Sequence, residues 1–187
     1  MNGMKGTIVG IDFGHAFGSA TMHLGIPEVV PFRWTSQMEG LFSPLGSNVM
    51  IRPVMNQVLQ VMHNEREFLL DTLQVFVKEP LFDWDRFQKR EEYDDDERGS
   101  ASSYEWYPKE RLATVREKLE LLSPCQIVMR DLEKRKDANN LKPLYNAVAK
   151  VSSSPAKQSD LVVEELLALA SSRDILARAY VGWQPWL

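Results

Sequence analysis

The feature that most constrains this chain is a short apolar run, Thr7-Ile8-Val9-Gly10-Ile11, that stops abruptly at Asp12-Phe13-Gly14. β-Branched residues in such a run favour a strand. With the turn signal Asn2-Gly3 ahead of it, Met1 to Ile11 reads as the remnant of a hairpin. Regular structure does not resume at once. The chain passes Gly14, Gly18, Gly25 and Pro27 before it regains order at Pro31-Phe32-Arg33. A strand that delivers a carboxylate at its exit can offer a hard oxygen ligand to a small divalent cation. The same tripeptide also suits an Asx-type turn after an edge strand, and taken alone it favours that reading.

It does not stand alone. Ile11-Asp12-Phe13-Gly14-His15, then a loop closing on Pro31-Phe32-Arg33 and Thr35, resembles the phosphatidylinositol 3-kinase-related protein kinases. Within that family three stretches are similar, in order, to the member that works at DNA double-strand breaks. They are Gly10 to Thr21, Val75-Phe76-Val77-Lys78-Glu79-Pro80-Leu81-Phe82-Asp83-Trp84 and Gly182-Trp183-Gln184-Pro185-Trp186-Leu187. The middle, Gln88 to Lys157, matches loosely.

The resemblance implies a fold class that is mainly α (α+β). It is the C-terminal part of a kinase C-lobe with a strand remnant, followed by a small helical C-terminal domain of the FATC type. Residues 1–150 would hold the C-lobe portion, with an activation loop over 10–35; 151–157 would be a linker, and 158–187 the terminal domain. By the same resemblance Asp12 is a Mg²⁺ ligand, Ile11 lines the adenine pocket of ATP, and Phe13 and Gly14 position Asp12. His15 matches the motif, and a structural role suits it equally. The implied activity is transfer of the ATP γ-phosphate to Ser or Thr on proteins. The implied setting is the nucleus, in end joining, with the Ku heterodimer and DNA ends engaged through regions outside this sequence.

Composition limits the alternatives. The chain has 187 residues, 44% hydrophobic and 26% charged, as expected for a globular protein with one good core. A net charge of −4 gives no basic footprint for direct nucleic-acid binding. No apolar run approaches the ~20 residues of a membrane span, and the start is too weakly apolar for a signal peptide. Cys125 is the single cysteine, which excludes an internal disulfide, and with three dispersed histidines there is no zinc pattern.

Phosphoryl transfer needs a phosphate loop, a strand lysine with its helix glutamate, and a catalytic loop bearing Asp and Asn. None precedes Asp12 here, so the sequence reads as the C-terminal piece of a larger kinase, inactive by itself. Between Gly14 and Pro31 there is no Lys or Arg, and Glu28 is the charged group. A lipid kinase would need clustered cations there for a phosphorylated headgroup, so protein is the expected substrate class. A plain structural connector would be uncharged as well. The rivals are another member of the same family, a pseudokinase scaffold, and, weakest, a lipid kinase.

Further along, helices dominate. Thr35 or Ser36 caps a short helix through Leu41, and Pro53 suits the first turn of the next. There Val54, Val58, Val61 and Met62 form one apolar face, read as core. Asn64 and Glu67 read as a capping box for a helix that buries Leu69, Leu73 and Phe76 and stops at Pro80. Trp84 and Phe87 open a further helix. Lys89 to Arg98 and the following Gly99-Ser100-Ala101-Ser102-Ser103 read as a solvated loop, with an acidic docking site as the rarer reading.

Pro108 starts a helix with Leu112, Val115, Leu119 and Leu122 on one face. Ser123-Pro124 caps another bearing Ile127, Val128 and Leu132. Pro143 opens a short one with Leu144 and Val148. Ser152-Ser153-Ser154-Pro155 reads as a linker. Beyond it Ser159 caps a helix with Val162, Leu166 and Leu169 inward, and Ser171 to Asp174 reads as a second capping box before Ile175, Leu176 and Tyr180. Gly182 and Pro185 end that helix. Such a short pair cannot bury both faces alone, so it must dock on something. Trp183 and Trp186 read as anchors on the kinase lobe, or as a membrane-dipping tip, which Glu164, Glu165 and Asp174 disfavour.

Overall fold

A computed structural model of the chain describes residues 18–78, 106–152 and 157–179, and among them every regular element is an α-helix. The expected strand at Thr7–Ile11, the helix at Trp84, the charged run and the terminal tryptophans lie outside the described residues. So does most of the expected linker.

Local signals explain several boundaries. After α1 (Ser19–His23), α2 (Ser36–Leu41) begins where the Thr35 hydroxyl accepts the Met38 backbone N–H at 3.3 Å. A one-turn α3 (Ser47–Met50) leads into α4 (Arg52–Asn64), with Pro53 in its first turn, where a missing N–H costs nothing. A break at Glu65 separates α4 from α5 (Arg66–Lys78). Next comes α6 (Trp106–Leu119), then α7 (Pro124–Glu133), whose cap Ser123 accepts the Gln126 N–H at 3.3 Å. The last three are α8 (Lys142–Val151), with Pro143 in its first turn, α9 (Ser159–Ser171) and the one-turn α10 (Arg173–Leu176).

The main core is built by α7, α8, α9 and α10. Cys125, Leu132, Leu144, Ala147, Val148, Leu169 and Ile175 meet there, and Val29, from the irregular segment before α2, inserts among them. A smaller cluster joins Leu121 to Val162, with Leu59 of α4 packed against both. Leu121 sits just past α6 with φ 62. The Leu122 N–H donates to the Glu117 carbonyl at 3.0 Å and the Leu121 N–H to the Lys118 carbonyl at 3.2 Å. That pair of bonds is a Schellman ending, and its left-handed position is normally glycine. Here burial of the leucine offsets a left-handed strain of about 1–2 kcal/mol.

Five expectations need correction. The stripe on α4 is not core: Val54, Val58 and Val61 are 58%, 52% and 56% exposed, and Met62 is exposed as well. The helix uses another face, packing Leu59 inward, donating from Gln60 Nε2 to Ser159 Oγ at 3.2 Å, and placing His63 Nδ1 2.7 Å from the Leu119 carbonyl. Asn64 is the last residue of α4 and does not cap α5; among the described side chains of α5 Leu70 is buried and Leu69 and Leu73 are half-buried, while the Phe76 side chain lies outside them. On α6 the buried face is turned toward Arg111, Thr114 and Leu119, leaving Leu112 and Val115 half-buried. Ser159 is the first residue of α9 and Gln158 holds the cap position without a side-chain bond. Likewise Ser171 closes α9, its hydroxyl donating to the Leu167 carbonyl at 2.8 Å, and Ser172 precedes α10 without a side-chain cap.

Candidate functional site

The residues expected to hold nucleotide and metal, Ile11, Asp12, Phe13 and Gly14, lie outside the described residues, as does His15. Among the described residues no cluster of three His, Cys, Asp or Glu side chains is placed to hold a metal ion. The site that can be built is therefore the segment immediately after them, residues 18–35.

The segment folds against α7 through a compact loop. Gly18, at φ 78, precedes α1, a left-handed position that suits glycine. A Cβ there would come 3.6 Å from Arg111 Nη1, an arginine that is 1% exposed. Thr21 Oγ1 donates to the Glu28 carbonyl at 2.5 Å, and the Glu28 N–H donates back to the Ala20 carbonyl at 3.4 Å. These two bonds close the loop, and Val29 drops into the main core immediately after it.

Three carbonyls of this loop converge on one side chain. Arg135 Nη1 donates to Thr21 and Met22, both at 2.8 Å, and Arg135 Nη2 donates to Leu24 at 3.0 Å. Asp137 holds the guanidinium from the other side, at 2.8 Å from Nε and 2.9 Å from Nη2. That bidentate pair holds the Asp137 carboxyl below the usual carboxylate range.

At its far end the segment is bonded to α9. The Trp34 N–H donates to the Ala170 carbonyl at 2.9 Å. Ala170 is in the last turn of α9, where carbonyls lack intrahelical donors, so the bond satisfies a group the helix leaves open. The Trp34 indole N–H donates to Glu39 Oε2 at 2.5 Å, and Glu39 Oε1 accepts the Ser47 N–H at 3.0 Å. The Ser47 bond first, and then the indole, hold the Glu39 carboxyl below its ordinary range. Trp34, Thr35, Glu39, Arg52, Glu164 and Arg173 are among the residues that line a cavity of about 470 Å³.

A second cavity of about 510 Å³ is lined by Val29, Val30, Phe32, Leu122, Val128 and Leu166. Asp131 also faces it. Burial pushes the Asp131 carboxyl up, against the pull of Arg111, whose Nη1 is 4.0 Å away.

One further buried polar contact ties α9 to the lobe. Glu165, 1% exposed, accepts the Ser123 hydroxyl at 2.5 Å and the Cys125 N–H at 3.4 Å. A carboxylate thus sits at the N-terminus of α7, where backbone donors and the helix dipole favour an anion. Burial, and then the neighbouring Glu165 carboxylate, push the Cys125 thiol up to about 12. Sequence reasoning named Ser123 as a cap but missed Arg135, Glu165 and the Trp34 backbone, whose partners are remote in the chain.

Comparison with known proteins covers both ends of the chain. The family model for phosphatidylinositol 3- and 4-kinase matches residues 2–86, and that for the FATC domain matches residues 162–187. The DNA-dependent protein kinase catalytic subunit of Dictyostelium discoideum is 35% identical across 95% of this chain, and that of Gallus gallus is 34% identical across 100% of it. The serine/threonine-protein kinase TEL1 of Cryptococcus neoformans is 38% identical across 45% of the chain. The chain spans 4% of the length of the first relative, 5% of the second and 3% of the third. No helix among the described residues is long and apolar enough to cross a membrane. With a kinase model at one end, a FATC model at the other and protein kinases of one kind matching throughout, the chain belongs to the phosphatidylinositol 3-kinase-related protein kinase family.

Proposed function

We propose that this chain is the C-terminal part of a protein kinase that moves the γ-phosphate of ATP to Ser or Thr side chains of proteins. The observation that carries the reading is the docked segment at residues 18–35. It is held at the front by the Arg135 side chain, just past α7, and at the back by the Trp34 N–H on the Ala170 carbonyl of α9, and its Lys or Arg residue is Arg33, at the far end. A phosphorylated lipid headgroup would find no clustered cations on it, whereas a polypeptide needs none. Relatives named as protein kinases support the same choice.

In this reading Asp12 holds Mg²⁺, Phe13 and Gly14 set its position, and Ile11 contacts the adenine of ATP. A metal held by Asp12 would offset the negative charge of the phosphates. The segment after Gly14 would receive the acceptor peptide, and positioning of that kind carries much of the catalysis in this chemistry. The setting we propose is the nucleus, at DNA double-strand breaks, with the Ku heterodimer and DNA ends bound by other regions of the full-length protein. The chain by itself is then inactive, because the phosphate-contacting loops are not part of it.

The test compares the full-length protein with its Asp12→Ala variant. The wild type is expected to phosphorylate a Ser/Thr peptide in which Gln follows the acceptor, in preference to phosphoinositide vesicles. The variant is expected to lose that activity by at least about a hundredfold with its fold retained. Activity within a few-fold of wild type at saturating Mg²⁺ would remove Asp12 from the site. Preferential labelling of lipid would reverse the substrate class.

A further inference from the structure

The Arg135 side chain is 7% exposed, and the five N–H donors of its guanidinium are matched by five acceptors. Two belong to Asp137 and three are backbone carbonyls of Thr21, Met22 and Leu24. The last three sit at and just beyond the C-terminal end of α1, where carbonyls lack intrahelical donors and a positive charge is favoured.

A five-residue helix such as α1 cannot persist on its own. It has no side-chain N-cap bond, because Gly18 occupies that position. Its shape must come from outside, and this one side chain gives three hydrogen bonds to its end. Arg135 is itself held in place. Its backbone N–H donates to Leu132 at 3.3 Å, its carbonyl accepts the Ala138 N–H at 3.1 Å, and Asp137 grips the guanidinium through both oxygens. The arginine is therefore fixed before it meets the loop.

We propose that Arg135, oriented by Asp137, is a positioning residue for the protein substrate: it sets the shape of residues 18–24, and so the surface that receives the acceptor peptide. The inference rests on the kinase reading above, since it assigns the segment a substrate to receive. Lysine could not replace the arginine. An ammonium has three donors and no planar fork, so it cannot hold a bidentate carboxylate and three carbonyls together. The effect should fall on peptide binding and leave ATP binding alone.

The experiment uses the full-length protein and its Arg135→Lys and Asp137→Asn variants, with two readouts. Amide hydrogen exchange is measured over residues 18–28, with peptides from α7 and α9 as the reference. Steady-state kinetics vary the peptide and ATP separately. In Arg135→Lys, exchange over 18–28 is expected to rise about tenfold or more while α7 and α9 stay protected. The peptide KM should rise about tenfold, with the ATP KM within about twofold. Asp137→Asn should give a smaller shift in the same direction. Unchanged exchange over 18–28 overturns the proposal. So does protection lost equally in α7 and α9, which would make Arg135 a general core contact, and so does faster exchange with an unchanged peptide KM. A wild type that phosphorylates no protein defeats the kinase reading instead, and the exchange result then still judges whether Arg135 shapes the loop.

Discussion

Removing the Ser123 hydroxyl should cost more than a helix cap is normally worth, because that one oxygen serves two partners. It accepts the Gln126 N–H at 3.3 Å and donates to buried Glu165 at 2.5 Å. Loss of an N-cap costs about 1 kcal/mol. A buried carboxylate deprived of a charge-assisted bond loses a further ~1.5–3 kcal/mol. Ser123→Ala is therefore expected to destabilise the chain by about 2.5–4 kcal/mol, a large share of a domain's ~5–15 kcal/mol margin. Glu165→Gln keeps the shape, removes the charge and should cost about 1–2 kcal/mol. In the double variant the shared bond is lost only once, so the two costs should fall short of additivity by about 1–2 kcal/mol. Equilibrium urea unfolding near neutral pH, followed by helical circular dichroism, measures all three. Additivity within about 0.5 kcal/mol would mean that Ser123 and Glu165 do not act as a pair, and the joint between α9 and α7 would have to be sought elsewhere.

Two other expectations follow from the same region. The Cys125 thiol is raised from 9.0 to about 12 in the folded chain, so it stays protonated while the unfolded chain ionises. Its contribution is intact below pH 9 and is lost as pH rises from about 9 towards 12, at up to ~1.4 kcal/mol per unit, and Cys125→Ala should flatten that part of the stability profile. A profile equally steep in the variant would refute this. Leu121→Gly should relieve about 1–2 kcal/mol of left-handed strain while giving up a buried side chain worth ~1.5–3 kcal/mol. It should therefore cost clearly less than Leu132→Ala, a deletion from the main core expected at ~2–5 kcal/mol; equal losses in thermal unfolding would contradict the strain.

Legibility followed the range of the interactions. Thr35, Pro53, Ser123-Pro124 and Pro143 mark helix starts through bonds reaching three residues or fewer, and the structure has helices beginning at each. Ser159 and Ser171 carry the same kind of signal, yet neighbouring backbone took the cap positions, a slip of one residue that composition does not resolve. The Val54–Met62 stripe shows that apolar periodicity identifies a helix without saying which face is covered. The face of α4 that packs is set by where α9 and α6 lie, and Leu59, Gln60 and His63 are the residues that meet them. Arg135 and Glu165 were illegible for a related reason. Arg135 stands in a charged stretch that reads as surface and Glu165 is an acidic residue on an otherwise apolar helix, and their partners lie 111 to 114 and 40 to 42 positions away. The motif that identified the family, around Asp12, is legible as sequence and lies outside the described residues.

The contacts together make α9 part of the segment's support. At its middle α9 offers Glu165 to the start of α7, and near its end it offers the Ala170 carbonyl to Trp34. The other end of α7 runs into the turn that carries Arg135, which holds the front of the same segment. Residues 18–35 are thus gripped at the front from one end of α7 and at the back from α9, while Glu165 ties α9 to the opposite end of α7. Val29, seated between the two grips, packs with Leu169 of α9 and Leu132 of α7 in one cluster. A shift of α9 along its axis would break the Glu165 bond and the Trp34 bond together, since both are short and fixed to one rigid helix. The position of the terminal helices and the shape of the segment are therefore one mechanical variable, and a change in α9 should be felt at the segment without any new contact between them.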